Sequence, residues 1–378
     1  MTRLGDLHAA ALGDLFADAA PKAGVTRVAA WLARAQQSGR GAADQRALRS
    51  ALCTSTMKGR RGYRRMIDSG QTTTRVAVLD GPAGIADVRR LLGARWGEAY
   101  LDPAATLHAL HAIEPVRLID ERLADWLFCR SGWAPDDRDA WQRRQTWGLL
   151  ADIYLRDLSG LANRARQRDR PRLAETIERG LDTLIDRTPL DAVRAASHDR
   201  GVLLCGSHAG AFRIGRSTLR AAVPGLFTIG AANEGEGRLT TADPVRALYQ
   251  FTKHLRQSDA VGLIGADGGY GEAVGEITVH GLPLPIALGP PTIVRGARCP
   301  AFFFLARWSA DRIRLDFTPA PTVDPAMPAA TWNAIWLDAY AQHLSAIVTG
   351  APENLRGTSG IWGKIEDALM RADAGDHR

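Results

Sequence analysis

One histidine sits where chemistry can be placed: His208, in the run Gly201 to Gly215 that reads GVLLCGSHAGAFRIG. The four apolar residues Val202 to Cys205, bounded by glycines, predict a buried strand rather than an amphipathic helix. Small residues at Gly206, Ser207, Ala209, Gly210 and Ala211 predict a sharp turn in which the backbone can approach a ligand, and Phe212 to Ala222 then predicts a helix. His208 therefore falls just past the carboxyl end of a strand, where α/β proteins hold ligands and reacting groups. An imidazole there can take or give a proton near neutral pH. The competing reading is a histidine that only caps or packs. A second run, Val261-Gly262-Leu263-Ile264-Gly265-Ala266-Asp267-Gly268-Gly269-Tyr270-Gly271, is an apolar strand ending in an acidic, Gly-rich loop. Arg213 and Arg238 are candidates for gripping an anionic group, since guanidinium forks match phosphate and carboxylate; for Arg238 the alternative is an ordinary surface arginine. His108 and His111 lie three apart, as two metal ligands on a helix would, but no acidic or cysteine partner follows at ligand spacing, so no metal is expected.

The elements around these residues divide the chain. Residues 1–190 read as mainly helical. Leu4, Leu7, Leu12, Leu15 and Phe16 recur at helical spacing within about the first forty residues. A strand or extended link is expected from Thr72 to Leu79, a helix from Ile85 to Gly97, and another from Thr106 to Phe128 bent at Pro115. Trp141, Trp147, Leu150, Ile153, Leu158 and Leu161 predict a long helix, and Leu173, Ile177, Leu181 and Leu184 a second. Residues 191–378 change period. Short runs at Leu226–Ile229, Ala260–Ile264, Glu276–His280, Pro300–Leu305 and Ile313–Phe317 predict strands, and Pro244–Leu255 a helix among them. A last helix is expected over Thr331–Ile347, capped by Thr331. The fold class is α/β, a central, mostly parallel sheet flanked by helices behind a helical N-terminal region.

With 378 residues, 24% charged and 46% hydrophobic, the composition is that of a globular protein without extended disorder. The formal charge is +7 and almost all positive charge is arginine, with lysines only at Lys22, Lys58, Lys253 and Lys364. That balance fits a GC-rich coding sequence, or attraction to an anionic surface or acidic partner. The cluster Lys58, Arg60, Arg61, Arg64 and Arg65 is either a solvated face or such a docking patch. Cys53, Cys129, Cys205 and Cys299 are widely separated, which predicts free thiols in a reducing compartment. No window of about 18 uncharged apolar residues is present. A cytoplasmic protein, peripheral on the inner membrane face, is expected, with no nucleic-acid partner and no cofactor motif.

Three segments in order carry a resemblance: Ser207 to Arg213, Val261 to Gly271, and His280-Gly281-Leu282-Pro283-Leu284-Pro285-Ile286-Ala287-Leu288-Gly289-Pro290-Pro291 leading into Phe302, Phe303 and Phe304. From about residue 195 to 365 the chain resembles the lysophospholipid acyltransferase superfamily, closest to its lipid A late-acyltransferase branch. That branch has a strand followed by a His-x-x-x-x-Asp/Glu motif, an apolar strand into an acidic loop with glycines, a Gly-Pro segment and a C-terminal Pro-Glu segment, here Pro352-Glu353-Asn354. The resemblance implies a fatty acyl chain moved from acyl carrier protein or acyl-CoA to a hydroxyl or amine of a lipid or small-molecule acceptor, a step of lipid biosynthesis, with His208 as general base. The motif's acid, five residues after the histidine, falls on Arg213, and an arginine cannot orient an imidazolium. Asp267 is the first candidate to replace it, because neighbouring parallel strands bring their carboxyl ends together, with a plain turn residue as its alternative. Glu234 and Glu236 in the Asn-Glu-Gly-Glu-Gly loop are the others. Backbone N–H groups from Ala209 to Phe212, Gly210 among them, are expected to hold the thioester oxyanion, and Leu282–Leu288 either walls an acyl channel or forms a structural loop. A repurposed, non-catalytic member that binds lipid or an acyl carrier is the second expectation. A hydrolase with Ser207 as nucleophile is the third and weakest, since Ser207 adjoins His208 and no G-x-S-x-G elbow is present.

Overall fold

The computed structural model describes residues 101–111, 121–230, 238–240, 244–268, 274–356 and 360–375. The helical and strand expectations before residue 100, the Lys58–Arg65 cluster, Pro115, Glu234 and Glu236 lie outside the described residues. The chain forms two compact units, one holding residues up to Leu184 together with Arg356–Ser359, the other Ile185–Leu355 with Gly360–Arg378.

In the first unit the described elements are all helical: α1 (Pro103–Leu110), α2 (Glu121–Phe128), α3 (Arg138–Gln167) and α4 (Pro171–Leu184). Buried residues of α4 fall at 173, 174, 177, 181 and 184, a stripe at helical spacing, and α4 packs against α3. The Trp147 indole N–H donates to the Leu107 carbonyl at 2.9 Å, so this tryptophan anchors α1 to α3 as a core residue. Arg356 returns to this unit and lies 3.2 Å from Asp152, both side chains being buried.

The second unit is built on a seven-stranded sheet ordered β1-β9-β8-β2-β5-β3-β4. Its strands are β1 (Ile185–Asp186), β2 (Val202–Gly206), β3 (Phe227–Gly230), β4 (Arg238–Thr240), β5 (Val261–Gly265), β8 (Ala301–Ser309) and β9 (Arg312–Pro319). All neighbours are parallel except β8 and β9, which form an antiparallel hairpin. Because β1 pairs with β9, this unit begins at Ile185 and includes α5 (Leu190–Ser197). The central strand β2 is buried at every position, as its unbroken apolar run requires when both faces are covered. Helices α6 (Phe212–Ala222), α7 (Pro244–His254), α8 (Gly289–Ala297), α9 (Ala329–Val348) and α10 (Ile361–Gly375) complete the unit.

Between β5 and α8 the chain makes a separate two-stranded hairpin, β6 (Val274–Val279) and β7 (Leu282–Ala287). Pro283 and Pro285 pair with Thr278 and Glu276 at exposed positions, where a missing N–H is tolerated on an edge, while Leu284 and Ile286 point inward. Leu282–Leu288 is thus a strand and its end rather than a loop. Pro290 and Pro291 begin α8 in its first turn, where their absent N–H groups would have had no helical partner. α9 starts at Ala329, capped by Pro328 rather than Thr331, because its first turn extends two residues upstream. Trp336 and Tyr340 of α9 pack on Phe303 of β8, with ring centroids 5.4 and 5.3 Å apart. Burying each such ring contributes on the order of 2 kcal/mol, so this helix is fixed against the sheet next to β2. No helix among the described residues is long and apolar enough to cross a membrane.

Candidate active site

β2 and β5 are in register, Gly206 opposite Gly265, so the turns that follow them emerge side by side. His208 sits two residues past β2 and Asp267 two residues past β5. Asp267 Oδ1 lies 2.5 Å from His208 Nδ1, and Asp267 Oδ2 accepts the His208 backbone N–H at 2.8 Å. The Asp267 side chain is fully buried, whereas the His208 side chain is 30% exposed. Burial pushes the Asp267 carboxyl up, but the charge and hydrogen bonds of His208, with the Ile361 N–H, outweigh it and hold the group below its ordinary value of 3.8. An ionised carboxylate only accepts, so the proton between the two is carried on Nδ1.

The last helix closes the site from behind. The Ile361 N–H, at the start of α10, donates to Asp267 Oδ2 at 3.2 Å, placing the carboxylate at a helix N-terminus. The Trp362 indole N–H donates to the His208 carbonyl at 2.6 Å. Gly360, just before, has φ +57, and a Cβ there would lie 2.6 Å from Asp267 Oδ2 and 2.7 Å from His208 Nδ1. Only glycine fits. Lys364 Nζ donates to the Gly268 carbonyl at 3.1 Å, and burial lowers its pKa. On the sheet side, the Phe212 ring stands 4.9 Å from the imidazole. Beneath it, fully buried Ser207 shares a hydrogen bond of 3.1 Å with the Tyr340 hydroxyl, whose pKa burial raises well above 10. Ser207 therefore has no exposed hydroxyl with which to act as a nucleophile.

The backbone after His208 is committed elsewhere. The Ala209 N–H donates to Ser207 O, Gly210 N–H to Asn354 O and Ala211 N–H to Ala306 O, each at 2.8 Å. These three groups cannot also hold an oxyanion. Gly210 has φ +55, and a Cβ there would lie 2.2 Å from Ala306 O, so its place is in the turn. Asn354, in the Pro352–Asn354 turn, locks that turn to β8 by also bonding the Trp308 N–H and carbonyl.

Similarity to known proteins adds one comparison. No family model matches the chain. It is similar to the Vi polysaccharide export protein VexE of Salmonella typhi. The two are 29% identical over 269 residues, covering 67% of this chain and 38% of the relative. The chain thus spans under two fifths of the length of that protein.

Of the residues singled out in the sequence, the structure brings together His208 and Asp267. Arg213 is half-buried as the second residue of α6, the helix that begins at Phe212 beside the imidazole. Arg238 lies on β4, at the sheet edge farthest from β1. Among the described residues no group of His, Cys, Asp and Glu could hold a metal, and His111 stacks on Trp147 at 4.7 Å. Gly360, Ile361, Trp362 and Lys364 were not anticipated. Their signal was the glycine before an apolar pattern at 361, 362, 365 and 368, an amphipathic helix start.

Proposed function

We propose that this chain is an acyltransferase that moves a fatty acyl chain from acyl carrier protein or acyl-CoA to a hydroxyl or amine at the inner membrane face. The observation that carries this is the His208–Asp267 pair, with Nδ1 held at 2.5 Å by a fully buried carboxylate on a histidine whose side chain is partly exposed. In this reading His208 Nε2 takes the acceptor's proton as its oxygen or nitrogen bonds the thioester carbonyl carbon. The C–S bond then breaks and the thiolate recovers that proton from the imidazolium, while Asp267 stabilises the imidazolium throughout. The carboxylate that the acyltransferase motif places five residues after the histidine is supplied instead from the neighbouring strand. The similar protein is named for polysaccharide export, which favours a saccharide acceptor. Each buried CH₂ of an added acyl chain contributes about 0.8 kcal/mol toward membrane anchoring.

Mass spectrometry of products after incubation with acyl thioesters and a panel of lipid, amine and sugar acceptors tests the reading. An acylated product that His208→Ala abolishes is the expected result, and equal product from both proteins refutes it. A second reading, a non-catalytic member serving export, is favoured by Arg213 at the motif's acid position and by that same name. It predicts acyl-ligand binding without turnover, indifferent to His208→Ala.

A further inference from the structure

At the other end of β2 from His208, a cleft of about 760 Å³ is lined by Arg200, Arg256, Arg295 and Arg298, with Thr292 and Asn333 between them. We propose that this cleft binds a compact diphosphate group.

Three of the four guanidinium groups are held in place by main-chain carbonyls and not by acids. Arg256 donates from Nη2 and Nε to Gly296 O at 2.8 and 3.3 Å. Arg200 Nη1 reaches Ala297 O and Arg298 O at 3.5 Å, and Arg295 Nη2 donates to Met327 O at 3.2 Å. Arg298 ends α8 in the left-handed conformation, φ 54. These contacts use a minority of the five N–H donors on each arginine.

No carboxylate lines the cleft, and none of the four arginines is in an ion pair among the described residues. Two of the nearby acids are turned to other partners. Asp324, beside the lining Pro325, accepts the Ala326 N–H at 2.9 Å, and Asp199, beside Arg200, pairs with His198 at 3.1 Å. Four uncompensated guanidinium groups, three of them fixed by main-chain carbonyls, match the fork geometry and charge of adjacent phosphates better than a single anion. β2 alone separates the cleft from His208 by about 16 Å of strand, so this is a site distinct from the dyad.

The test is calorimetric titration of the full chain, at low ionic strength, with inorganic phosphate, pyrophosphate and ADP, and flotation with phosphatidylcholine vesicles containing farnesyl diphosphate. The expected result is saturable pyrophosphate binding, tighter than phosphate, weakened at least tenfold in Arg256→Gln/Arg298→Gln and unchanged in the surface control Arg312→Gln. Since Arg256 braces the end of α8, Arg298→Gln alone, whose side chain makes no such bond, should weaken binding at least threefold with an unchanged melting temperature. ADP binding equal to pyrophosphate assigns the cleft to a soluble ester, whereas vesicle binding lost in the double variant assigns it to a lipid headgroup. Absent pyrophosphate binding, or binding that the double variant keeps or the control loses equally, overturns the proposal.

Discussion

Asp267→Asn isolates what the carboxylate contributes, because the amide has nearly the same shape. In the native site Oδ2 receives two N–H groups, from His208 and Ile361, and Oδ1 receives the imidazole Nδ1–H. An asparagine has one oxygen, and the two backbone donors will claim it. Its NH₂ then faces Nδ1, which must become an acceptor, and the proton moves to Nε2. The base is then blocked by its own proton, and the developing imidazolium loses its counter-charge. Substitutions of this kind in catalytic His–Asp pairs lower kcat by about 10⁴, or roughly 5 kcal/mol of barrier. Folding stability should change far less, by about 2 kcal/mol or under, since losing charge-assisted hydrogen bonds is offset by no longer burying a charge. The pH dependence has a definite sign. The folded pKa of Asp267 is depressed, so its contribution is present above the ordinary value of 3.8 and is lost as pH falls through the lower folded value. The urea midpoints of wild type and variant should therefore converge only below about pH 4. Thiol release from an acyl thioester, followed with and without acceptor, measures the rate. A variant within tenfold of wild type, folded and with the same midpoint, would refute the role given to Asp267.

Two further outcomes follow from the same geometry. Gly360→Ala places a Cβ 2.6 Å from Asp267 Oδ2 in a left-handed backbone that costs about 1–2 kcal/mol for any L residue, so transfer activity should fall at least a hundredfold while far-ultraviolet circular dichroism is retained; full activity would show that α10 does not set the dyad. His343, on α9 near Phe303, has its pKa pushed down by burial to about 4, against 6.5 in the unfolded chain. The unfolded chain binds the proton more tightly, so stability falls on acidification between those values, by about 2 kcal/mol from pH 7 to pH 5. Urea titrations at both pH values should show that drop, and His343→Leu should remove it.

The parts of the fold that were legible in the sequence are those whose signal is local. Val202 to Cys205 is buried on both faces and reads as an unbroken apolar run, and α6 falls at Phe212–Ala222, where the small residues give way. Asp267 could be singled out because adjacent parallel strands end together, a rule of topology that needs no contact information. Pro283, Pro285, Pro290 and Pro291 concealed β7 and α8, since proline is read as a breaker although an outer edge and a first helical turn both accept it. The fate of the Gly210 and Ala211 N–H groups was not legible at all. Their acceptors, Ala306 and Asn354, arrive from 95 or more residues away, and nothing in the local sequence announces them.

The dyad is also tied to distant chain in time. The contacts that hold it from behind span 94 residues to Ile361 and 154 to Trp362. Closure of such long loops comes late in folding, after the sheet's nearer pairings can form. A molecule with β2 and β5 paired but α10 undocked would have the strands, the histidine and the aspartate, yet lack the two N–H groups that fix them. The competence of the site therefore has the lifetime of α10's docking, which can be shorter than that of the fold. Amide exchange at Ile361, measured beside that of Leu204 in β2, would give the two lifetimes separately.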